Sequence, residues 1–132
     1  MMAQRESCLF CNLDRQRILH QSVLAVVCPD SFPVSAGHCL VIPRRHVGSL
    51  FEATEDEQRE MLRLLGEARV SINKTHAPAG FTIGINDGLA AGQSIPHLHI
   101  HLIPRYEGDV AEPRGGVRWV LPARANYWSS RK

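Results

Sequence analysis

The chain contains no apolar run approaching the roughly 20 residues of a membrane-spanning helix. It has no excess of one charge either. Fifteen Lys and Arg against thirteen Asp and Glu leave +2, too even for a disordered charged tail and too weak to imply a nucleic-acid partner. No internal repeat or low-complexity segment is present. The opening residues, Met1 to Ser7, hold no apolar stretch of signal-peptide length. A cytoplasmic protein with no membrane or nucleic-acid partner is therefore expected. What is present suits one globular unit. Hydrophobic residues make up 44% of 132 positions, enough to bury a single core. A single domain over 1–132 is expected, with a core at about 8–105 and a polar, Gly/Pro-rich tail at 106–132.

Four cysteines remain to be explained. Without a secretion signal, reduced thiols are expected rather than disulfides. Cys28 and Cys39 sit in apolar surroundings and read as small core residues. Cys8-Leu9-Phe10-Cys11 differs, because two thiols at this spacing can turn onto one metal ion. A redox pair is the competing reading, but it needs a preceding strand, and only seven residues precede Cys8.

The hydrophobic pattern predicts an α+β fold. A short helix is expected within Cys11 to Leu19. Strands are expected over Ser22 to Cys28, His38 to Ile42, Gly80 to Asn86 and His97 to Ile103, with a further one over Val117 to Leu121. Thr54 to about Thr75 predicts the one long helix. Thr54 and Glu57 form a capping-box pair, and Met61, Leu62, Leu64, Leu65, Ala68 and Ile72 recur at helical spacing.

The most informative stretch is His97-Leu98-His99-Ile100-His101-Leu102. On an extended chain three alternating imidazoles share one face, and the three apolar residues enter a core on the other. Such a face is poor packing material. Two chemistries fit it: a His₃ metal set, or a nucleophilic imidazole with helpers. The upstream Gly88, Gly92, Gln93 and Ser94 favour the second, since glycine turns expose N–H groups that bind anions. Asn86 adds an amide at the rim.

These residues resemble the histidine triad family, whose signature alternates three His with apolar residues, as His97 to Ile103 does without departure. The resemblance spans about Cys8 to Arg105. It implies an antiparallel sheet of about five strands with one long helix and a short N-terminal helix, paired in a homodimer. It further implies a nucleotide hydrolase acting at the α-phosphate of a nucleoside phosphoramidate or dinucleoside polyphosphate. A purine nucleotide is the implied substrate and AMP the favoured product. By the match, His99 is the nucleophile that becomes a nucleotidyl-histidine, a phosphohistidine intermediate. His101 contacts the phosphate and helps the leaving group depart, and His38 supports the site. Asn86, Gln93 and Ser94 match residues around the phosphates, Asp30 an acid on the ribose hydroxyls, and Leu9 and Phe10 the apolar nucleoside wall. Cys8, Cys11, His46 and His97 match the ligands of a structural zinc found in bacterial members. The alternatives are a phosphorylase or nucleotidyl transferase of the same fold, and a non-catalytic nucleotide-binding module.

Overall fold

The structure, a computed structural model, describes residues 6–129. Met1 to Arg5, on which the signal-peptide reading partly rests, lie outside the described residues. Five strands form one antiparallel sheet: β1 (His20–Gln21), β2 (Ala25–Pro29), β3 (Cys39–Pro43), β4 (Gly80–Gly84) and β5 (Ile100–Arg105), in the order β1-β2-β3-β5-β4. One helix, α1 (Glu55–His76), covers one face. This is the α+β architecture expected from the sequence.

α1 begins where its cap dictates. The Thr54 hydroxyl accepts from the Glu57 N–H at 3.1 Å, and the Glu57 carboxylate accepts from the Thr54 N–H at 2.8 Å. Ala77, in the left-handed conformation, closes the other end. Met61, Leu64, Ala68 and Ile72 are buried at spacings of three and four. They pack on Ala25, Val27, Cys39, Val41, Leu98, Ile100 and Leu102 from the sheet. Each large aliphatic side chain buried here contributes about 1.5–3 kcal/mol relative to exposure. Leu62 was expected on this face but points outward, 63% exposed. One residue past Met61, it is rotated off the buried stripe.

Val26, Cys28, Leu40 and Ile42 form a second apolar layer on the opposite face. Phe10, Leu13 and Ile18 of the N-terminal segment pack against it. Cys28 and Cys39 are core residues, as expected. Burial pushes their thiols up to about 11 and about 12. No disulfide joins the cysteines of the described residues.

Several expectations shift. The strands expected over His38 to Ile42 and Gly80 to Asn86 span Cys39–Pro43 and Gly80–Gly84. The short helix near Cys11 to Leu19 is one 3-10 turn, Arg15–Arg17, capped by Asp14. The strand expected over Ser22 to Cys28 spans Ala25–Pro29, because Ser22 bonds back to Ala25 in a tight turn after β1. The strand expected over His97 to Ile103 is Ile100–Arg105. Its pairing with β3 begins at Val41↔Ile100; further along, the Pro43 carbonyl is taken by the His97 ring instead. The strand expected over Val117 to Leu121 is a 3-10 helix, Gly116–Val120, followed by a second at Pro122–Arg124. Gly115 suits the turn: its φ of +98° is one that side-chain-bearing residues rarely adopt, and a Cβ there would sit tightly, 3.2 Å from the Ala125 carbonyl oxygen.

Candidate active site and metal centre

Leu40 faces His101 across the β3–β5 ladder, so the imidazoles share the face of the second apolar layer. Leu98, Ile100 and Leu102 point to the helix. This is the alternation expected from the sequence. The rings of His99 and His101 lie 5.1 Å apart at their centroids. Both line a cleft of about 460 Å³. Leu9, Phe10, Leu13 and Leu40 form much of its apolar wall, and Asp30, Asn86, Gly92 and Ser94 also border it.

Hydrogen bonds assign the protons on these rings. His99 Nδ1 lies 2.8 Å from the His97 carbonyl, which can only accept. Nδ1 therefore carries the hydrogen, and Nε2 keeps its lone pair. A chain of three groups fixes the protons on the next two rings. The Val34 N–H donates to His38 Nδ1 at 3.1 Å, so His38 carries its hydrogen on Nε2. His38 Nε2 in turn donates to His101 Nδ1 at 2.9 Å. His101 thus has its hydrogen on Nε2. One ring of the pair keeps an electron pair at Nε2, and the other keeps a donor. Burial is the main reason that both His38 and His101 titrate below the usual 6.5; Asp30 partly offsets it.

Asp30 lies beside this relay. Its Oδ2 is 3.3 Å from His38 Nε2 and 3.7 Å from His101 Nδ1. Its Oδ1 accepts from the Phe32 N–H, the turn contact of an aspartate after proline. Asp30, His38 and His101 could in principle surround a cation. The hydrogen on His38 Nε2 argues for a relay instead.

His97 is turned away from the cleft and fully buried. Its Nε2–H donates to the Pro43 carbonyl at 2.8 Å, which leaves the Nδ1 lone pair toward Cys8 and Cys11. Four ligand atoms gather there. His97 Nδ1 is 3.4 Å from Cys8 Sγ, 3.5 Å from Cys11 Sγ and 3.2 Å from His46 Nδ1, and Cys11 Sγ is 3.1 Å from His46 Nδ1. A tetrahedral zinc with ordinary bond lengths requires N–N edges of about 3.3 Å and S–N edges of about 3.6 Å. The four residues fit such an ion, and the Pro43 bond orients one ligand from behind.

The ligands also shape the cleft. Leu9 and Phe10 lie between the two cysteines in sequence. The Phe10 ring meets His99 edge-on, with centroids 5.0 Å apart and planes at 68°. Gln93 follows Gly92 and precedes Ser94, two residues that line the cleft. It does not itself border the cleft. Its amide is engaged by Gly88 N–H, Gly48 carbonyl and Ile95 carbonyl. Three participants carried no sequence signal: Val34 through its N–H, Pro43 through its carbonyl, and Asp87, which accepts from Ser49 and Leu50. Backbone groups and loop braces have no residue-type signature.

Comparison with known proteins agrees with this geometry. The model of the HIT domain family matches residues 14–108. The bis(5'-nucleosyl)-tetraphosphatase (asymmetrical) of Schizosaccharomyces pombe is 33% identical over 96 residues, 73% of this chain and 53% of that protein. The AP-4-A phosphorylase of Mycobacterium tuberculosis is 38% identical over 79 residues, 59% of this chain and 40% of that one. The chain thus spans about half or less of either relative. A crystal structure of a zinc-bound histidine triad family protein from Mycobacterium smegmatis superposes with a TM-score of 0.72. It is 26% identical and covers 92% of this chain and 95% of that one. The family thus includes dinucleoside polyphosphate hydrolases and phosphorylases. This chain belongs to the histidine triad (HIT) family.

Proposed function

We propose that this protein is a nucleotide hydrolase. It cleaves a nucleoside phosphoramidate or dinucleoside polyphosphate at the α-phosphorus and releases a nucleoside monophosphate, with AMP the favoured product. The observation that carries this is the opposed proton placement on two adjacent rings of the cleft. His99 Nε2 has the electron pair a nucleophile needs. His101 Nε2–H has the donor that developing negative charge needs.

In the first step His99 Nε2 bonds to phosphorus as the bond to the leaving group breaks. A departing polyphosphate oxygen takes a hydrogen bond from the His101 Nε2–H, whereas a departing amine takes that proton itself and His101 is reprotonated from solvent; His38 holds His101 in the donating form. In the second step water adds to phosphorus and loses its proton to solvent. The P–N bond breaks, and the electron pair returns to His99. Ser94 offers a donor for the phosphate oxygens and Asn86 an amide at the rim, whereas the N–H groups of Gly88, Ala91, Gly92 and Gln93 are bonded within the loop and shape it instead. Leu9 and Phe10 supply the base wall, and Asp30 an acceptor for the ribose hydroxyls. Gln93 acts through the loop rather than on phosphate.

Cys8, Cys11, His46 and His97 would hold a structural zinc, whose four ligands leave no open position for substrate. What zinc supplies is the fixed placement of the cleft's N-terminal wall. A homodimer and a cytoplasmic location belong to the same proposal. Among the described residues β4 stands at the sheet edge beside β5, which supports the former. Among the described residues no helix is long and apolar enough to cross a membrane.

A phosphorylase is the second reading, favoured by the mycobacterial relative. Product analysis over adenosine and guanosine phosphoramidates and dinucleoside polyphosphates, with and without inorganic phosphate, separates the two. The hydrolase yields nucleoside monophosphate in either condition. Nucleoside diphosphate formed only with phosphate would replace it by the phosphorylase. No product from any of these substrates would leave a nucleotide-binding module.

A further inference from the structure

Segment 46–50 and segment 87–98 are joined rung by rung. His46 and His97 offer ligand atoms 3.2 Å apart. The Val47 carbonyl accepts from the Leu98 N–H at 2.7 Å. The Gly48 carbonyl accepts from Gln93 Nε2 at 2.9 Å. Ser49 and Leu50 both donate to Asp87. One rung differs in kind. Gln93 also closes the glycine loop on itself: its Oε1 accepts from the Gly88 N–H at 2.9 Å, and its own N–H donates to the Gly88 carbonyl at 3.1 Å. Gly88 stands at φ +96° and Gly92 at φ +92°, so this loop has an unusual backbone path. Backbone bonds from Ala91, Gly92 and Gln93 shape the loop, and the Gln93 side chain clasps Gly88 and fastens the loop to Gly48, two residues beyond His46.

We propose that Gln93 is a positioning residue. It transmits the placement of the metal-ligand segment to the phosphate loop, so metal binding and nucleotide binding strengthen one another. The proposal rests on the metal and nucleotide readings given above. Gln93 itself touches neither ligand. Linkage requires the coupling to be reciprocal. Metal must tighten nucleotide binding by the same factor by which nucleotide tightens metal binding.

The test uses cobalt(II)-substituted protein, because tetrahedral cobalt bound to thiolate and imidazole has a visible spectrum sensitive to ligand geometry. Wild type and Gln93→Ala are titrated with AMP while the cobalt bands are followed. The affinity for zinc is then measured by chelator competition with and without saturating AMP. The wild type is expected to show the tetrahedral bands, a change in them on adding AMP, and zinc affinity raised by at least about 5-fold by AMP. Gln93→Ala is expected to show the same bands without AMP, so its ligands are intact. Its AMP response should be largely lost, and its zinc affinity should change by less than about 2-fold. Equal coupling in the two proteins would overturn the proposal. So would a wild type that binds AMP with no change in bands or zinc affinity. A wild type without tetrahedral bands would refute the metal reading, and one that does not bind AMP the nucleotide reading; the proposal falls with either. If Gln93→Ala does not fold, Gln93→Glu keeps the acceptor for Gly88 but sets a carboxylate against the Gly48 carbonyl. It should lose coupling to the same extent, and retained coupling would contradict the role.

Discussion

At the residue scale, three histidines of one strand region present three different faces, set by the atom bonded behind each ring. A carbonyl behind His99 leaves a lone pair in the cleft, a donor behind His101 leaves a donor there, and the Pro43 carbonyl leaves His97 Nδ1 facing Cys8 and Cys11. His99→Ala should lower turnover of a cleaved substrate by at least about 10³-fold with little change in Tm. Near-wild-type turnover at saturating substrate would refute its role. His38→Ala should lower kcat more than it raises KM, because it frees His101 to take the wrong tautomer without touching the base wall. The titration of His38 and His101 carries a stability consequence. Both are held below 6.5 in the folded chain, chiefly by burial. Below about pH 6.5 the unfolded chain therefore binds more protons than the folded one. Their contribution is complete above that pH and is lost as pH falls through the window beneath it. Thermal melts across pH 5 to 8 should be level at the upper end and decline at the lower end, and a rise in Tm on acidification would contradict this assignment.

At the scale of elements, what was legible in the sequence followed from strong local signals. The Thr54–Glu57 box set the start of α1, and the alternation of His with Leu and Ile set which face of β5 meets the helix. Both are properties of residue type and spacing. Strand ends were less legible because they depend on partners. The β3 ladder stops at Ile100, and beyond it the His97 ring bonds the Pro43 carbonyl; no pattern within 97–103 records that contact. Gln93 illustrates the same limit at the site. An amide next to a glycine turn suggests a phosphate ligand, yet its partners lie at Gly48 and Ile95 as well as Gly88. The tail was misread because β-branched and aromatic residues imitate a strand, whereas Gly115 and Gly116, at φ +98° and +50°, start a 3-10 helix. Thr54→Ala should cost about 1 kcal/mol of stability in urea denaturation. Gly115→Ala places a methyl against a carbonyl at a left-handed φ, and should make residues 106–129 cleaved faster by protease than the sheet.

At the scale of the whole molecule, the sheet separates two functions. One face packs on α1 and supplies most of the core, whereas the other carries the cleft and the converging ligands. Cys8 and Cys11 lie on the N-terminal segment, His46 follows β3, and His97 precedes β5, so an ion there would tie three separated parts of the chain together. Elemental analysis of protein purified without added metal should give about one zinc per chain, and chelation should lower Tm. No zinc, with Tm unchanged by chelator, would remove the metal centre from the account.

The proposed chemistry requires the ring at position 99 to become covalently attached to the α-phosphorus. Rapid mixing with a dinucleoside polyphosphate, an alkaline quench that preserves the P–N bond, and peptide mass spectrometry detect that attachment. One nucleotidyl group is expected on His99, formed and discharged within turnover and absent from His99→Ala. Turnover with no adduct, or with the adduct on another residue, would contradict it.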